Sequence, residues 1–164
     1  MKNIKLTDIV KLVISIIACQ CAGFIGSLFT TPAITTWYAT LQKPPFTPPN
    51  WLFAPAWATL YLLMGISAFI IWRRGLGNPQ VKKALFLFVI QLVLNTLWSV
   101  VFFGLKSPLY GVMVIAALWV AILLTILRFF RISLAAGALL LPYIIWVSFA
   151  AVLNISIWLL NPGA

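Results

Sequence analysis

An all-α membrane protein, a bundle of five transmembrane helices, is the fold class this sequence predicts, and three observations predict it. The chain has 164 residues, 64% of them hydrophobic, with eleven Lys and Arg and a single carboxylate, and its mean hydropathy is +1.13. A water-soluble domain of this length needs far more charge to cover its surface, so the solvent for most of this surface is lipid. The apolar residues form five runs, at 6–29, 52–72, 84–104, 108–127 and 134–160. The basic residues cluster at the ends of those runs and between them.

Each run reaches or passes the roughly 20 residues that cross about 30 Å of hydrocarbon at about 1.5 Å per residue, so each is predicted as one membrane helix. The first carries small-residue pairs, Ala22 with Gly26 and Gly23 with Ser27, suited to close helix approach. Cys19 and Cys21 also lie in it, two apart and therefore on different faces, which disfavours a mutual disulfide. The residues ending at Cys19 resemble a lipoprotein cleavage box, but the apolar run continues to Phe29 and suits a retained span. Pro55 and Pro142 fall in the first turns of the second and fifth spans, and the brevity of 105–107 makes the third and fourth antiparallel neighbours. No internal repeat stands out, and residues 1–164 read as one domain.

If five helices alternate, the N-terminus, the 73–83 connection and the 128–133 connection share one side. Nine of the eleven basic residues then lie there, Lys2, Lys5, Lys11, Arg73, Arg74, Lys82, Lys83, Arg128 and Arg131, against Lys43 and Lys106 on the other. This asymmetry predicts a cytoplasmic N-terminus. It accounts for the net charge of +10 through anionic headgroups, and with no basic recognition helix or zinc-finger spacing a nucleic-acid partner is not expected.

The longest connection, on the non-cytoplasmic side, packs Pro44, Pro45, Pro48 and Pro49 among Trp37, Tyr38, Phe46 and Trp51. Proline fixes φ and pushes the preceding residue toward extended backbone, so the segment is predicted to be ordered without forming a long helix. Two roles fit it: a stiff lid over a site, or an aromatic belt at headgroup level.

The absences are informative. The chain has no histidine and no glutamate, and its one aspartate, Asp8, lies at the edge of the first span. Paired-carboxylate hydrolysis, Ser-His-Asp or Cys-His catalysis, carboxylate or histidine metal sites and a buried proton relay all lack their members. What remains within the spans is uncharged polarity. Gln91, Asn95 and Trp98 share one helix face, continued by Phe102; such amides act either as interhelical glue or as ligand contacts. Trp146, Ala150 and Asn154, with Leu153 alongside, form a similar stripe on the fifth span, and Trp57, Tyr61 and Gly65 on the second. A large ring beside a small residue makes either a knob-and-notch helix contact or a pocket wall. Together these stripes and the rigid loop describe an apolar site with a few neutral hydrogen-bonding groups, suited to a flat hydrophobic ligand, with Lys43 placed to meet anionic substituents at its rim.

These residues resemble a known family. Trp37, Tyr38, Leu41, Lys43, Pro44, Pro48, Pro49 and Trp51, then Pro55, Trp57, Leu60, Tyr61, Met64 and Gly65, then Gln91, Asn95, Trp98, Ser99, Phe102 and Gly104, then Pro142, Tyr143, Trp146, Ala150 and Asn154, look like the motifs of the TspO/MBR family of tryptophan-rich sensory proteins, related to the mitochondrial translocator protein or peripheral benzodiazepine receptor. The resemblance covers nearly the whole chain. It implies a five-helix fold, often a homodimer, in a bacterial cell membrane, with a pocket for porphyrins and for benzodiazepine-type or isoquinoline-carboxamide ligands. It places Trp51, Trp57, Asn95, Tyr110, Trp146, Ala150 and Leu153 in that pocket, to which the stripes add Tyr61, Gln91, Trp98 and Phe102. It further implies light-dependent breakdown of protoporphyrin, with Trp51 and Trp146 as the carriers. No basic residue follows Asn154, so the sterol-recognition pattern of the animal members is not carried over.

The expected function is therefore a membrane receptor or sensor for tetrapyrroles, requiring no cofactor or metal and having lipid and the porphyrin as partners. A transporter of hydrophobic molecules and a ligand-free membrane scaffold are the alternatives. Against transport stand the lack of inverted halves and of an ionisable coupling residue.

Overall fold

The computed structural model describes residues 5–163; Lys2 lies outside them. Among the described residues the elements run α1 (Leu6–Ile34), α2 (Trp37–Thr40), a 3₁₀ turn (Asn50–Leu52), α3 (Phe53–Trp72), α4 (Pro79–Ser99), a π turn (Val100–Gly104), α5 (Pro108–Phe130), α6 (Leu134–Leu139) and α7 (Leu141–Leu160). Five stretches are long and apolar enough to cross a membrane: Leu6–Ile34, Asn50–Trp72, Pro79–Gly104, Pro108–Phe130 and Leu134–Leu160. This is the all-helical five-span bundle that the sequence predicts, and the chain is an integral, multi-pass membrane protein.

The ends differ from the hydropathy boundaries for local reasons. The first helix runs to Ile34, not Phe29, with Pro32 in its last turn, where it removes one backbone bond and the helix ends two residues later. α4 starts at Pro79 instead of residue 84 because Asn78 caps it, its side chain accepting from the Gln80 N–H at 2.9 Å, with proline in the first turn. Lys82 and Lys83 are thus helical, as is Arg128 in the last turn of α5, which continues to Phe130. The fifth span is two helices: the chain turns at Leu140, whose N–H bonds the Gly137 carbonyl three residues back at 3.1 Å, and Pro142 lies in the first turn of α7. The proline has no N–H to continue α6, so the break precedes it.

Hydrogen bonds and an ion pair fix the up-down order. Asp8 pairs with Arg73 at 3.4 Å, so the start of α1 and the end of α3 share one face of the bundle. The Ser67 hydroxyl donates to the Ala136 carbonyl at 2.7 Å, tying α3 to α6, and the amide of Asn161 meets Gln42 at the opposite end. In lipid, tail and side chain are equally apolar, and helix association relies on close packing and such bonds. Gly65 shows how close: a Cβ there would lie 2.7 Å from the Ile16 Cα, main chain that cannot swing away. Gly65→Ala is therefore expected to cost about 1–3 kcal/mol by forcing α1 from α3. Gly77→Ala, with nothing within 4 Å, should be nearly neutral, and denaturant unfolding in detergent would compare the two.

The core has two parts. The larger fills the half of the bundle at the Arg73 end, where Met64, Ile71, Val81, Leu118 and Tyr143 are fully buried and Phe88 stacks on Phe129. The smaller lies beneath the long loop and comprises Tyr38, Leu41, Phe102, Phe103, Leu153 and Ile157, with Ala33. The π turn serves this second part. Its defining bond, Leu105 N–H to the Val100 carbonyl at 2.9 Å, widens the turn so that Val101, Phe102 and Phe103 are all buried in succession.

Candidate functional site

Between α1, α3, the π turn and α7, below the long loop, lies a cavity of about 390 Å³. It exists because α1 and α3 touch at one end and diverge toward the other. They meet at Gly65 against Ile16 and at Gly23, where a Cβ would lie 2.4 Å from the Tyr61 ring. Beyond Tyr61 the helices part. One wall is a face of α1 at three- and four-residue spacing: Gln20, Gly23, Ser27, Thr30 and Ile34. The facing wall is the first half of α3, from Asn50 through Phe53 and Trp57 to Tyr61. Phe24, Thr31, Ala54 and Ala58 border the cavity and are also exposed, which puts its mouth between α1 and α3 on the outer surface of the bundle.

The back wall is aromatic. Trp98 stacks on Phe102 with ring centroids 5.3 Å apart, Trp57 on Tyr61 at 5.6 Å, and Tyr38 of the loop sets its ring against Phe102 and Phe103 at 6.3 and 5.7 Å. Burial pushes the Tyr38 phenol up to about 12, so it stays neutral at physiological pH. Among the described residues, no charged one borders the cavity. Its polar groups are amides, hydroxyls and indole N–H groups; the hydroxyls of Ser27 and Thr30 donate back to Phe24 and Gly26 of their own helix, at 2.7 and 3.1 Å, so their oxygens keep free acceptor capacity. Gln20 reaches across the gap and donates to the Ala58 carbonyl at 3.1 Å.

The residues singled out from the sequence separate into two groups. Trp57, Tyr61, Trp98, Phe102, Ala150 and Leu153 border the cavity together with Asn154. Trp51, Gln91, Asn95, Tyr110 and Trp146 do not. Trp51 is 71% exposed at the outer end of α3 and Tyr110 56% exposed at the start of α5. Trp146 stands one ring behind the wall, packed on Phe53 at 6.2 Å and on Phe149 at 5.9 Å. Asn95 acts as interhelical glue, accepting from the Tyr61 hydroxyl and donating to that of Tyr143 at 2.9 Å. Gln91 is buried one turn further in. Asn154 links the wall to α5, its Oδ1 accepting from the Trp98 indole at 3.0 Å and its Nδ2 donating to the Pro108 carbonyl at 2.9 Å. Lys43 does not itself border the cavity; it lies over the ring of Tyr38, which does, 4.9 Å from its centre, and donates to the Ala39 and Leu41 carbonyls of its own loop at 3.4 and 3.3 Å.

Sequence reasoning missed the α1 wall. Its signal was the small-residue spacing, Ala22 with Gly26 and Gly23 with Ser27, readable as a surface for helix packing; of these, Gly23, Gly26 and Ser27 border the cavity. It missed Asn161 as well.

Comparison with known proteins agrees with this architecture. The chain is 51% identical over 154 residues to the tryptophan-rich protein TspO of Archaeoglobus fulgidus, covering 94% of this chain and 99% of that protein. It is 36% identical to the tryptophan-rich sensory protein of Cereibacter sphaeroides, over 88% of this chain and 87% of that one. It is 35% identical to the human translocator protein, over 85% and 83%. The family model described as the TspO/MBR family matches residues 15–159, from the middle of α1 to the end of α7, and the chain belongs to the TspO/MBR family.

Proposed function

We propose that this protein is a membrane receptor that senses flat, hydrophobic ligands, porphyrins such as protoporphyrin above all, and that benzodiazepine-type and isoquinoline-carboxamide compounds compete for the same cavity. The supporting observation is the cavity itself. Its volume of about 390 Å³ falls within the roughly 300–1,000 Å³ usual for small-molecule sites. Stacked indole and phenol rings form one wall, neutral acceptors the other, and its mouth faces the side from which a lipid-dissolved ligand arrives. The sensory and translocator names of the relatives point to the same class of role. Titrating protoporphyrin into the purified protein tests it: tryptophan fluorescence should quench with saturation at one site, and an isoquinoline carboxamide should reverse the quenching. Linear, non-saturating quenching would overturn the receptor reading and favour a scaffold.

Light-dependent breakdown of the bound porphyrin belongs to the same proposal, because indoles are oxidisable and several lie close. Trp57 and Trp98 border the cavity, and Trp146 lies behind Phe53. Illuminated protoporphyrin should be consumed faster with the protein than in detergent alone. Trp146→Phe should lower that rate more than it lowers affinity, and equal losses would reduce the effect to binding.

For topology, we propose a bacterial cell membrane with the N-terminus in the cytoplasm. Lys5, Lys11, Arg73, Arg74, Lys82, Lys83, Arg128 and Arg131 gather at one end of the bundle, and such clusters face the cytoplasm. Reporter fusions at the two termini should read opposite sides, cytoplasmic at the first residue; the reverse assignment would overturn the orientation. A homodimer, the remaining part of this reading, is tested by cross-linking in native membranes.

A further inference from the structure

The loop between α1 and α3 closes the end of the cavity, and the structure shows what holds it there. Tyr38 of α2 borders the cavity and is buried, Leu41 is buried beside it, and Asn50 completes the edge. Between them, Gln42 is exposed, yet its backbone is held at both polar atoms. Its N–H donates to Oδ1 of Asn161 at 2.9 Å, and its carbonyl accepts from Nδ2 of the same residue, also at 2.9 Å. A side-chain amide thus pairs with a peptide unit as a second strand would. The two residues are 119 positions apart.

Asn161 is itself fixed. It ends α7, with φ −129° and ψ 64°; its backbone N–H closes on the Ile157 carbonyl at 3.1 Å, and Nδ2 donates to that carbonyl again at 2.7 Å. The amide is therefore presented to the loop by a helix end, the rigid arrangement that gives a hydrogen bond its positioning value. On the loop side the Lys43 ammonium gathers the Ala39 and Leu41 carbonyls, and Thr47 bonds back to the Pro44 carbonyl through both its hydroxyl and its N–H, at 2.7 and 3.1 Å. The segment is stiff within itself, with its attachment to the bundle concentrated at Gln42 and at the rings beneath.

We infer that Asn161 is a positioning residue of the ligand cavity: its amide clasps the Gln42 peptide to the end of α7, holds the loop over the cavity, and sets the rate at which the cavity opens on that side. Its bearing on ligand release rests on the receptor reading above, whereas its bearing on access does not. Breaking the clasp leaves the cavity walls intact, because neither residue borders the cavity, so the effect falls on exchange rates before it falls on affinity.

Access can be measured without any ligand. In a protein with Cys19 and Cys21 replaced by alanine and Ala150 by cysteine, a charged methanethiosulfonate reagent, which does not cross the lipid-facing mouth, reports opening at the loop end. Labelling should accelerate about tenfold in Asn161→Ala, which loses both bonds, and by a smaller factor in Asn161→Asp, which keeps the acceptor for the Gln42 N–H. Gln42→Pro removes that N–H from the loop side and leaves the α7 cap untouched, so it should accelerate labelling as well. Acceleration in the Asn161 variants without any in Gln42→Pro would assign the effect to fraying of α7 and overturn the proposal. In the otherwise native chain, amide exchange over residues 38–43 should quicken in Asn161→Ala; faster exchange with unchanged labelling would show a clasp that does not guard the cavity, again overturning it. Protoporphyrin release, followed by recovery of tryptophan fluorescence, should quicken in parallel with labelling. Failure of the unaltered protein to bind protoporphyrin would remove the receptor reading and leave the labelling result to decide the clasp.

Discussion

Ala150→Leu should weaken protoporphyrin binding at least tenfold while leaving the fold in place. Ala150 borders the cavity from α7, one turn beyond Trp146 and one turn before Asn154. It is only partly buried and borders the cavity, so the added branches project toward that space. The space they take is the space a flat ring would use, and a loss of about 1.4 kcal/mol of binding already corresponds to the tenfold change. Fluorescence titration gives the affinity, and circular dichroism with a melting curve gives the fold. An unaltered affinity would place the ligand elsewhere. A collapsed fold would mean that Ala150 is a notch for a neighbouring helix, one of the two readings its spacing allows.

The second large effect is expected at Asn154, where stability and site depend on the same side chain. Asn154→Leu keeps the size of the residue but leaves the Trp98 indole N–H and the Pro108 carbonyl, both now engaged at about 3 Å, without partners in an apolar interior. Each such group costs about 1–3 kcal/mol, and relaxation within lipid brings the total to about 2–3 kcal/mol. Trp98 also loses the bond that fixes its plane against Phe102, so ligand affinity should fall as well. Gly111→Ala approaches the same point from α5: its Cβ would lie 2.8 Å from the Asn154 Oδ1 and 2.7 Å from the Phe102 ring. Denaturant unfolding in detergent should place both variants well below the parent, and a change within about 0.5 kcal/mol for Asn154→Leu would show the pairing to be dispensable.

Much of the architecture was legible in the residues. The five spans follow from length and hydropathy alone, and the inward face of α4 follows from the spacing of Gln91 and Asn95, both buried, with Phe102 continuing it into the π turn. The boundaries were less legible because hydropathy does not see caps: Asn78 with Pro79 begins α4 before its apolar run does, and Pro142 divides the fifth span. The π turn left no pattern, since one widened turn changes which residues face inward without changing their polarity.

The candidate site was legible only on its aromatic side. Indoles and phenols stand out against an aliphatic background, so Trp57, Tyr61, Trp98 and Phe102 could be picked by type and spacing. The opposite wall on α1 consists of glycine, serine, threonine and one glutamine, and membrane helices use such residues for packing as readily as for lining a cavity.

Features that depend on neighbours along the chain could be read before folding: the number of spans, lipid as their solvent, the uneven placement of basic residues, the proline-rich loop and the lack of histidine and glutamate. The partners of the polar groups, by contrast, came from helix packing alone. Asn95 and Asn154 are the same residue type on comparable stripes, yet one lies between two tyrosine hydroxyls in the core and the other borders the cavity while holding Trp98. Asn161 bonds to a backbone whose side chain is irrelevant, 119 residues away. A buried amide is stabilised by a hydrogen-bond partner, yet whether it meets one is set by the crossing of helices: Asn95 and Asn154 do, while the buried Gln91 amide has none among the described residues.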